Sequence, residues 1–324
     1  MPSSMPISGR KGTARAGAGL RDGLRALLAD IWKHRLSYLF MLPFFTAFTV
    51  FIILPIAAGI GFSMTNFNAV QAPDWVGWLN YQTLFSQDVV FLQNVLPNTF
   101  KFALFVGPFG FVLSFLLAWM IAQLPQMLRI GFALAMYAPS LTAGAAMAVV
   151  WQVAFTGDRT GFINHFLLQW GFIERPILFL SDKDYLLNIM ILISIWGSMG
   201  IGFLAMLAGI LNVDKQLYEA GKIDGISSRL QEIWYITIPS MKPQLLFAAV
   251  MSIVGMLKSS GAGKELVGMP TPDYAGQLIV THIQDYGFIR YELGYASAIS
   301  VFLLVLMLML NQLLRRWFVP KEEE

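Results

Sequence analysis

Residues 219–239, EAGKIDGISSRLQEIWYITIP, form a polar and charged stretch between two long apolar segments of the chain. Within it, Asp224-Gly225 is typical of a helix end and turn, because glycine adopts positive φ angles without steric cost. Ser228 and Gln231 have the spacing of a capping box, which predicts the start of a second helix. The stretch therefore predicts two short helices joined by a sharp turn.

The outer limits of this helical pair are also marked in the sequence. Asn212 is a candidate cap for the first helix, and Asp214 in its first turn suits the helix dipole. Pro239 is predicted to end the second helix, with Ile238 extended before it. A compact pair of this kind fits a groove in a partner protein. The alternative is an amphipathic hairpin that lies on the membrane surface.

The composition excludes an ordinary soluble globular protein, because 56% of the residues are hydrophobic and 13% are charged. A helix crosses a bilayer with about 20 predominantly apolar residues. We therefore predict an all-α, polytopic membrane protein with six transmembrane helices. The six apolar segments lie at roughly residues 36–62, 98–123, 130–154, 186–211, 241–260 and 294–314.

The distribution of Lys and Arg predicts the orientation, since cytoplasmic loops of membrane proteins are enriched in both. Residues 1–35 are rich in Lys and Arg, whereas the loop at 63–97 contains neither. The loop at 212–240 is basic again, as is the C-terminal end. We therefore predict a multi-pass membrane protein with both termini and the 212–240 loop in the cytoplasm.

One membrane domain is predicted between two short tails. Residues 1–35 form the cytoplasmic N-terminal tail, 36–318 the six-helix domain and 319–324 the cytoplasmic C-terminal tail. The apolar segment at 36–62 begins too late and is too long for a cleaved signal peptide.

Several kinds of chemistry find little support in the sequence. The chain has no Cys and only three scattered His, which disfavours a metal site. Residues 261–264, GAGK, lack the earlier Gly and the following Ser or Thr of a phosphate-binding loop. The net charge of +3 follows from the membrane topology and indicates no nucleic-acid partner.

The 219–239 stretch resembles the EAA loop of ABC-importer permeases. In that pattern Glu-Ala-Ala is followed by three residues, Gly, and an Ile-x-Leu-Pro ending; here the third Ala is Gly221. The interval from Gly225 to Pro239 is one residue longer than usual. Four other stretches resemble the sugar-permease branch, related to the larger maltose-system permease: WVGWLNY at 75–81, Asn98-Thr99, Trp151 with GFIN at 161–164, and GYASA at 294–298.

The resemblance implies the transmembrane subunit of an ATP-driven ABC importer, which translocates a carbohydrate or related polar solute. It implies a second, usually different permease subunit, two cytoplasmic ATPase subunits that hold ATP and Mg, and an extracytoplasmic solute-binding protein. The chain itself would bind no cofactor and would not be an enzyme. The residues that match the coupling loop are Glu219, Ala220, Gly221, Asp224, Gly225 and Pro239.

Two other functions are alternatives to the importer. An ion-coupled secondary carrier is disfavoured because the apolar segments lack Asp or Glu suited to an ion relay and no inverted repeat is apparent. An intramembrane enzyme is disfavoured because no cluster of His, Asp and Glu has helical spacing.

Polar and aromatic residues inside the apolar segments are candidates for a solute path, because sugars need hydrogen bonds and an aromatic face. Ser194 and Ser198 share one helix face, as do Ser252 and Ser259. The alternative is that these serines bond only to carbonyls of their own helices. The full candidate set is Asn188, Ser194, Trp196, Ser198, Ser252, Ser259, Ser260, Tyr295 and Ser297.

Overall fold

The computed structural model describes residues 33–142 and 144–318, which divide between two compact units, Met1–Ala58 and Gly59–Glu324. Helix α1 (Arg35–Phe62) makes up nearly all of the described part of the first unit, and its last four residues belong to the second unit. This helix has the length and hydropathy of a membrane span, and the side chains of residues 35–57 are all exposed. A π-helical turn at Thr49–Ile53 precedes Pro55.

The second unit is built from helices, with one small antiparallel ribbon in which β1 (Thr65–Asn66) pairs with β2 (Asp74–Trp75). The helices that follow are α2 (Leu79–Ser86), α3 (Phe91–Ala122), α4 (Gln126–Leu141), α5 (Gly144–Ala154), α6 (Phe162–Gln169), α7 (Lys183–Trp196), α8 (Ile201–Leu211), α9 (Lys215–Ile223), α10 (229–240), α11 (Lys242–Lys258), α12 (Gly263–Val267), α13 (279–289) and α14 (Leu293–Phe318).

Five helical segments of the described chain are long and apolar enough to cross a membrane, and a bent pair adds a sixth. The third predicted span, at 130–154, is this bent pair, in which α4 and α5 meet at a bend of 96°. Pro139 lies in the last turn of α4, where its ring and missing N–H weaken the helical bonding of the preceding turn.

One other predicted span is interrupted, because residues 197–200 divide the segment Lys183–Leu211 into α7 and α8. The predicted span at 241–260 coincides with α11, and residues 259–262 separate α11 from α12. Gly197 and Gly200 flank the first break, which is consistent with the low helix propensity of glycine. At each break, only a short segment of chain joins the helix before it to the helix after it.

Helix α3 is central to the bundle and contacts α7, α8 and α11. Glycines allow this close packing: a Cβ at Gly110 would lie 2.8 Å from Oγ of Ser198, and one at Gly107 would lie 3.0 Å from Sδ of Met256. At the start of α14, a Cβ at Gly294 would collide with the backbone carbonyl of Thr65. Small residues therefore determine how closely these elements approach.

A buried polar cluster joins the start of α3 to α13 and α14. Asp88 accepts a hydrogen bond from the Tyr295 hydroxyl at 2.8 Å and lies 2.9 Å from Nε2 of His282. Its other carboxylate oxygen accepts from the backbone N–H of Phe91 at 2.8 Å. The Tyr286 ring packs edge-on against both the histidine and Tyr295. The cluster ties together segments that are almost two hundred residues apart in sequence.

The ionised form of Asp88 is stabilised by this cluster. Burial alone would raise the pKa of Asp88, but the hydrogen bonds with His282, the Phe91 N–H and Tyr295 outweigh it and hold the pKa at about 2. Burial, together with the charge of Asp88, raises the pKa of Tyr286 to about 12. The carboxylate therefore acts as the shared acceptor on which the cluster is built.

Asp88→Asn is expected to lower the thermal unfolding midpoint at neutral pH, because losing charge-assisted bonds in a buried site costs roughly 1–3 kcal/mol. Since the pKa of Asp88 is depressed in the folded protein, its stabilisation is present above pH 3.8 and is lost as the pH falls towards about 2. The difference in midpoint between wild type and variant should shrink over that interval, as measured by differential scanning fluorimetry in detergent.

Glu174→Gln is the matched control, because Glu174 is exposed and lies outside the cluster. It should leave the unfolding midpoint unchanged at neutral pH. If the unfolding midpoints of the wild type and Asp88→Asn differ by the same amount down to pH 2, the role given to the ionised Asp88 is wrong.

Candidate functional site

The first candidate site is the polar loop between α8 and α11, whose first helix is α9. The cap of α9 is Asp214, which accepts a hydrogen bond from the N–H of Gln216 at 2.9 Å; the prediction that Asn212 is the cap is wrong. Asn212 instead ends α8, because the chain needs a further residue to turn before α9 begins.

Helix α9 ends at the predicted turn. Asp224 follows the last helical residue, and Gly225 has a φ of +92°, a conformation that L-residues rarely adopt. The N–H of Ile226 then bonds back to the carbonyl of Gly221 at 2.8 Å, which satisfies an acceptor at the helix end. The sequence therefore identified the turn correctly.

Helix α10 begins with the predicted capping box: Ser228 accepts from the N–H of Gln231, and the Gln231 side chain accepts from Ser228. The prediction that Pro239 ends the helix with Ile238 extended is wrong, because Ile238 is helical and α10 continues to residue 240. A π-helical turn at Ile233–Thr237 explains this, since its hydrogen bonds run to the residue five back and relieve the clash that proline makes in an α-helix.

The two helices pack into one compact element, defined here as the coupling loop (residues 212–240). Gly221 is buried where they meet, and a Cβ there would lie 2.7 Å from Cδ1 of Ile236. The Tyr218 hydroxyl lies 2.9 Å from Oγ1 of Thr237, which links α9 to α10. Glycine in place of the usual third alanine therefore permits close packing of α9 on α10.

The outer surface of the coupling loop is exposed and contains large apolar side chains. Five of the six residues that match the family loop are exposed, namely Glu219, Ala220, Asp224, Gly225 and Pro239. The side chain of Ile223 is 88% exposed, beside the turn. Leu230, Trp234 and Tyr235 on α10 are also exposed. The surface combines apolar groups with charge, which suits a protein partner.

The second candidate site is a cavity inside the membrane bundle, defined here as the serine cavity. It has a volume of about 610 Å³, within the range of roughly 300–1,000 Å³ usual for ligand sites. Helices α3, α4, α7, α8 and α11 contribute to its walls. Four of the predicted path residues line it: Ser194, Ser198, Ser252 and Ser259.

The break between α7 and α8 forms part of the cavity wall. Gly197, Ser198 and Gly200 line the cavity, and the Ser198 hydroxyl donates to the Ile195 carbonyl at 2.7 Å. The first bond of α8 runs from Leu204 N–H to the Gly200 carbonyl, so the N–H groups of residues 201–203 precede the helical bonding pattern. The break therefore supplies backbone polar groups to this part of the bundle.

The other five predicted path residues lie outside the serine cavity. Asn188 is exposed and donates to the Asp184 carbonyl of its own helix, while Trp196 packs edge-on against Trp151. Tyr295 belongs to the buried Asp88 cluster. The remaining two, Ser260 and Ser297, are partly buried elsewhere in the unit.

Sequence reasoning missed three hydroxyl residues that line the serine cavity, Ser114, Tyr137 and Ser140. Ser114 lies on α3, and the other two flank Pro139 on α4. A usable signal was present, because each is a polar residue in a predicted span. It also missed the Asp88 cluster, whose only sequence signal is an isolated Asp just before an apolar segment.

Comparisons with known proteins place the chain among transport proteins. No family model matches the chain. The arabinooligosaccharides transport system permease protein AraP of Bacillus subtilis (strain 168) is 28% identical over 297 residues, covering 91% of this chain and 91% of that protein.

Two solved structures are similar in both sequence and fold. A chain from a bacterial ABC transporter involved in the import of the acidic polysaccharide alginate is 28% identical with a TM-score of 0.73, covering 90% of this chain and 99% of that one. A chain from a bacterial alginate ABC transporter in complex with an alginate pentasaccharide-bound periplasmic protein is 27% identical with a TM-score of 0.74, covering 90% and 97%.

These relatives match the chain over nearly its whole length, including the coupling loop and the helices that enclose the serine cavity. The predicted all-α, polytopic membrane fold is confirmed, and an ion-coupled carrier is not favoured. In both sequence and fold, the chain is similar to permease subunits of ABC importers.

Proposed function

We propose that this permease subunit moves a carbohydrate or a related polyhydroxyl solute across the inner membrane through the serine cavity. Like the permeases that it resembles, the chain is a multi-pass inner-membrane protein, and we propose that, like them, it is not itself an enzyme. The observation that carries the proposal is the serine cavity, where hydroxyls from four separate helices meet at one site inside the bundle. Hydroxyl groups and apolar walls together suit a sugar.

The coupling loop is proposed to dock on a cytoplasmic ATPase subunit. Its support is the combination of a rigid helix pair, a charged Glu219 and exposed apolar side chains such as Ile223. ATP and Mg would be held by two such ATPase subunits, outside this chain. Closure of the ATPases would move the loop as a lever and change which side of the membrane the cavity faces.

The remaining partners are a second permease, different from this chain, and an extracytoplasmic solute-binding protein. Support for the latter comes from the similar alginate transporter, whose structure includes a solute-bound periplasmic protein. Both termini of this chain are proposed to lie in the cytoplasm, together with the coupling loop.

The coupling role is tested by Glu219→Lys and Gly225→Val. The first reverses the charge of an exposed loop residue, and the second places a branched side chain at a φ of +92°, which costs roughly 1 kcal/mol or more. Both variants should insert in the membrane, retain the partner permease and lose co-purifying ATPase or coupling of hydrolysis to uptake.

Two matched controls separate coupling from general damage. Glu174→Lys makes the same charge change outside the loop, and Gly171→Val places the same side chain at another exposed glycine with φ +71°. If the controls lose ATPase to the same extent as the loop variants, or if the loop variants couple normally, the docking assignment is wrong.

The solute path is tested by Ser194→Leu combined with Ser252→Leu, both of which line the serine cavity. Filling the cavity with two larger apolar side chains should reduce uptake by roughly tenfold or more, equivalent to about 1.4 kcal/mol. ATP hydrolysis by the assembled complex should persist. Asn188→Leu is the matched control, because it lies exposed on the same helix α7 outside the cavity. Undiminished uptake by the double variant would place the path elsewhere.

The orientation is tested by cysteine labelling, which the absence of native Cys makes clean. Cysteines at Gln71 and Lys264, both exposed, should react with an impermeant maleimide from the outside of intact spheroplasts. Cysteines at Lys215 and Lys222 in the coupling loop should react only after permeabilisation. The reverse pattern would invert the assigned topology.

A further inference from the structure

We propose that the serine cavity selects neutral polyhydroxyl solutes and excludes solutes that carry a carboxylate or a phosphate. The inference rests on the proposed function, because it assumes that the cavity lies on the solute path. The names of the similar proteins do not decide the point, since one concerns arabino-oligosaccharides and another an acidic polysaccharide. The chemistry of the cavity wall favours neutral solutes.

The first observation is the absence of charge. Among the described residues that line the cavity, none is Asp, Glu, Lys, Arg or His. Moving an anion out of water without a compensating cation costs several kcal/mol even after relaxation. The polar side chains of the wall are all hydroxyls: Ser114, Tyr137, Ser140, Ser194, Ser198, Ser252 and Ser259.

The second observation concerns the direction of the hydrogen bonds. Ser140 donates its proton to the Tyr137 carbonyl at 2.7 Å, and Ser198 donates to the Ile195 carbonyl at 2.7 Å. With their one proton committed in this way, these two hydroxyls present only lone pairs to a ligand. Ser259 instead accepts a hydrogen bond from the Gly261 N–H at 2.9 Å, which leaves its proton free to donate. The hydroxyl of a sugar can donate to the lone pairs of Ser140 and Ser198, whereas a deprotonated carboxylate or phosphate oxygen is repelled there.

The N-terminus of helix α8 favours negative charge nearby. Its dipole is worth roughly 0.3–1 kcal/mol for a nearby anion. That gain is several times smaller than the cost of desolvating an unpaired anion. The same N–H groups can donate to a neutral sugar oxygen without that cost. The helix start therefore supports hydrogen bonding to a neutral solute and does not reverse the selectivity.

The rest of the wall is apolar and adaptable. Met206, Met251 and Met256 line the cavity with Phe102 and Phe203. Methionine side chains fit irregular apolar surfaces, and phenyl rings accept the C–H faces of sugar rings. A neutral sugar can use both kinds of surface, its hydroxyls facing the serines and its ring faces contacting these side chains.

The experiment uses the assembled importer, with its partner permease and ATPases, in nanodiscs. The probes are trigalacturonate and its fully methyl-esterified form, which share one skeleton and differ in charge, together with arabinotriose, cellotriose, glycerol and glycerol 3-phosphate. Binding is measured by isothermal titration, and the Ser194→Leu and Ser252→Leu double variant defines the signal that arises outside the cavity. At least one neutral probe should bind at least tenfold more tightly than every anionic probe.

A charge-gain variant links the selectivity to the cavity. Ser194→Lys should improve trigalacturonate binding by roughly tenfold, whereas Asn188→Lys, on the exposed face of the same helix, should not. Ser252→Lys introduces the same charge into the cavity from helix α11 and should have the same effect, which provides a second test if Ser194→Lys assembles poorly.

The outcomes separate the two proposals. An anionic probe that binds the wild-type cavity as tightly as any neutral probe would overturn the selectivity and leave the path intact. If no probe shows binding that the double variant removes, the path and the selectivity both fail.

Discussion

A polypeptide in the hydrocarbon core of a membrane must pair its own backbone polar groups, because no water is available there. Most of this fold obeys that constraint with long helices. At residues 197–200, however, the backbone leaves the helical pattern inside a span. That interruption borders a cavity with hydroxyl groups, where a polar ligand or water can meet the unpaired groups. The serine cavity and the helix break therefore lie at the same place in the bundle.

Close helix packing makes this arrangement stable. The Ser198 side chain projects against the bare backbone of Gly110 on α3, at a distance that leaves no room for a Cβ. The same helix is held at its beginning by Asp88, which fixes α13 and α14. One helix is therefore constrained at a glycine in its middle and at a carboxylate just before its start. The serine cavity lies between α3 and the helices that pack against α3.

Sequence patterns predicted the features that depend on neighbouring residues. The turn at Gly225 and the capping box at Ser228 follow from local chemistry, and both are correct. The positions of the apolar segments follow from hydropathy. Features that depend on residues far apart were not predictable in the same way. Helical spacing placed Ser194 with Ser198, yet only the packing of α3 against α4, α7 and α11 brings Ser114 and Ser140 to the same site. Tyr295 likewise bonds to a residue over two hundred positions away.

The π-helical turn of α10 bears on the length of the coupling loop. A turn whose bonds run to the fifth residue encloses one residue more than an α-helical turn, and the interval from Gly225 to Pro239 is one residue longer than the family pattern. An added residue in a regular helix would rotate everything after it by about 100° and would move Ile236 away from Gly221. The wide turn absorbs the insertion locally, so helical phase is conserved on both sides of it. A one-residue difference in loop length is thus compatible with the same close packing of Ile236 on Gly221.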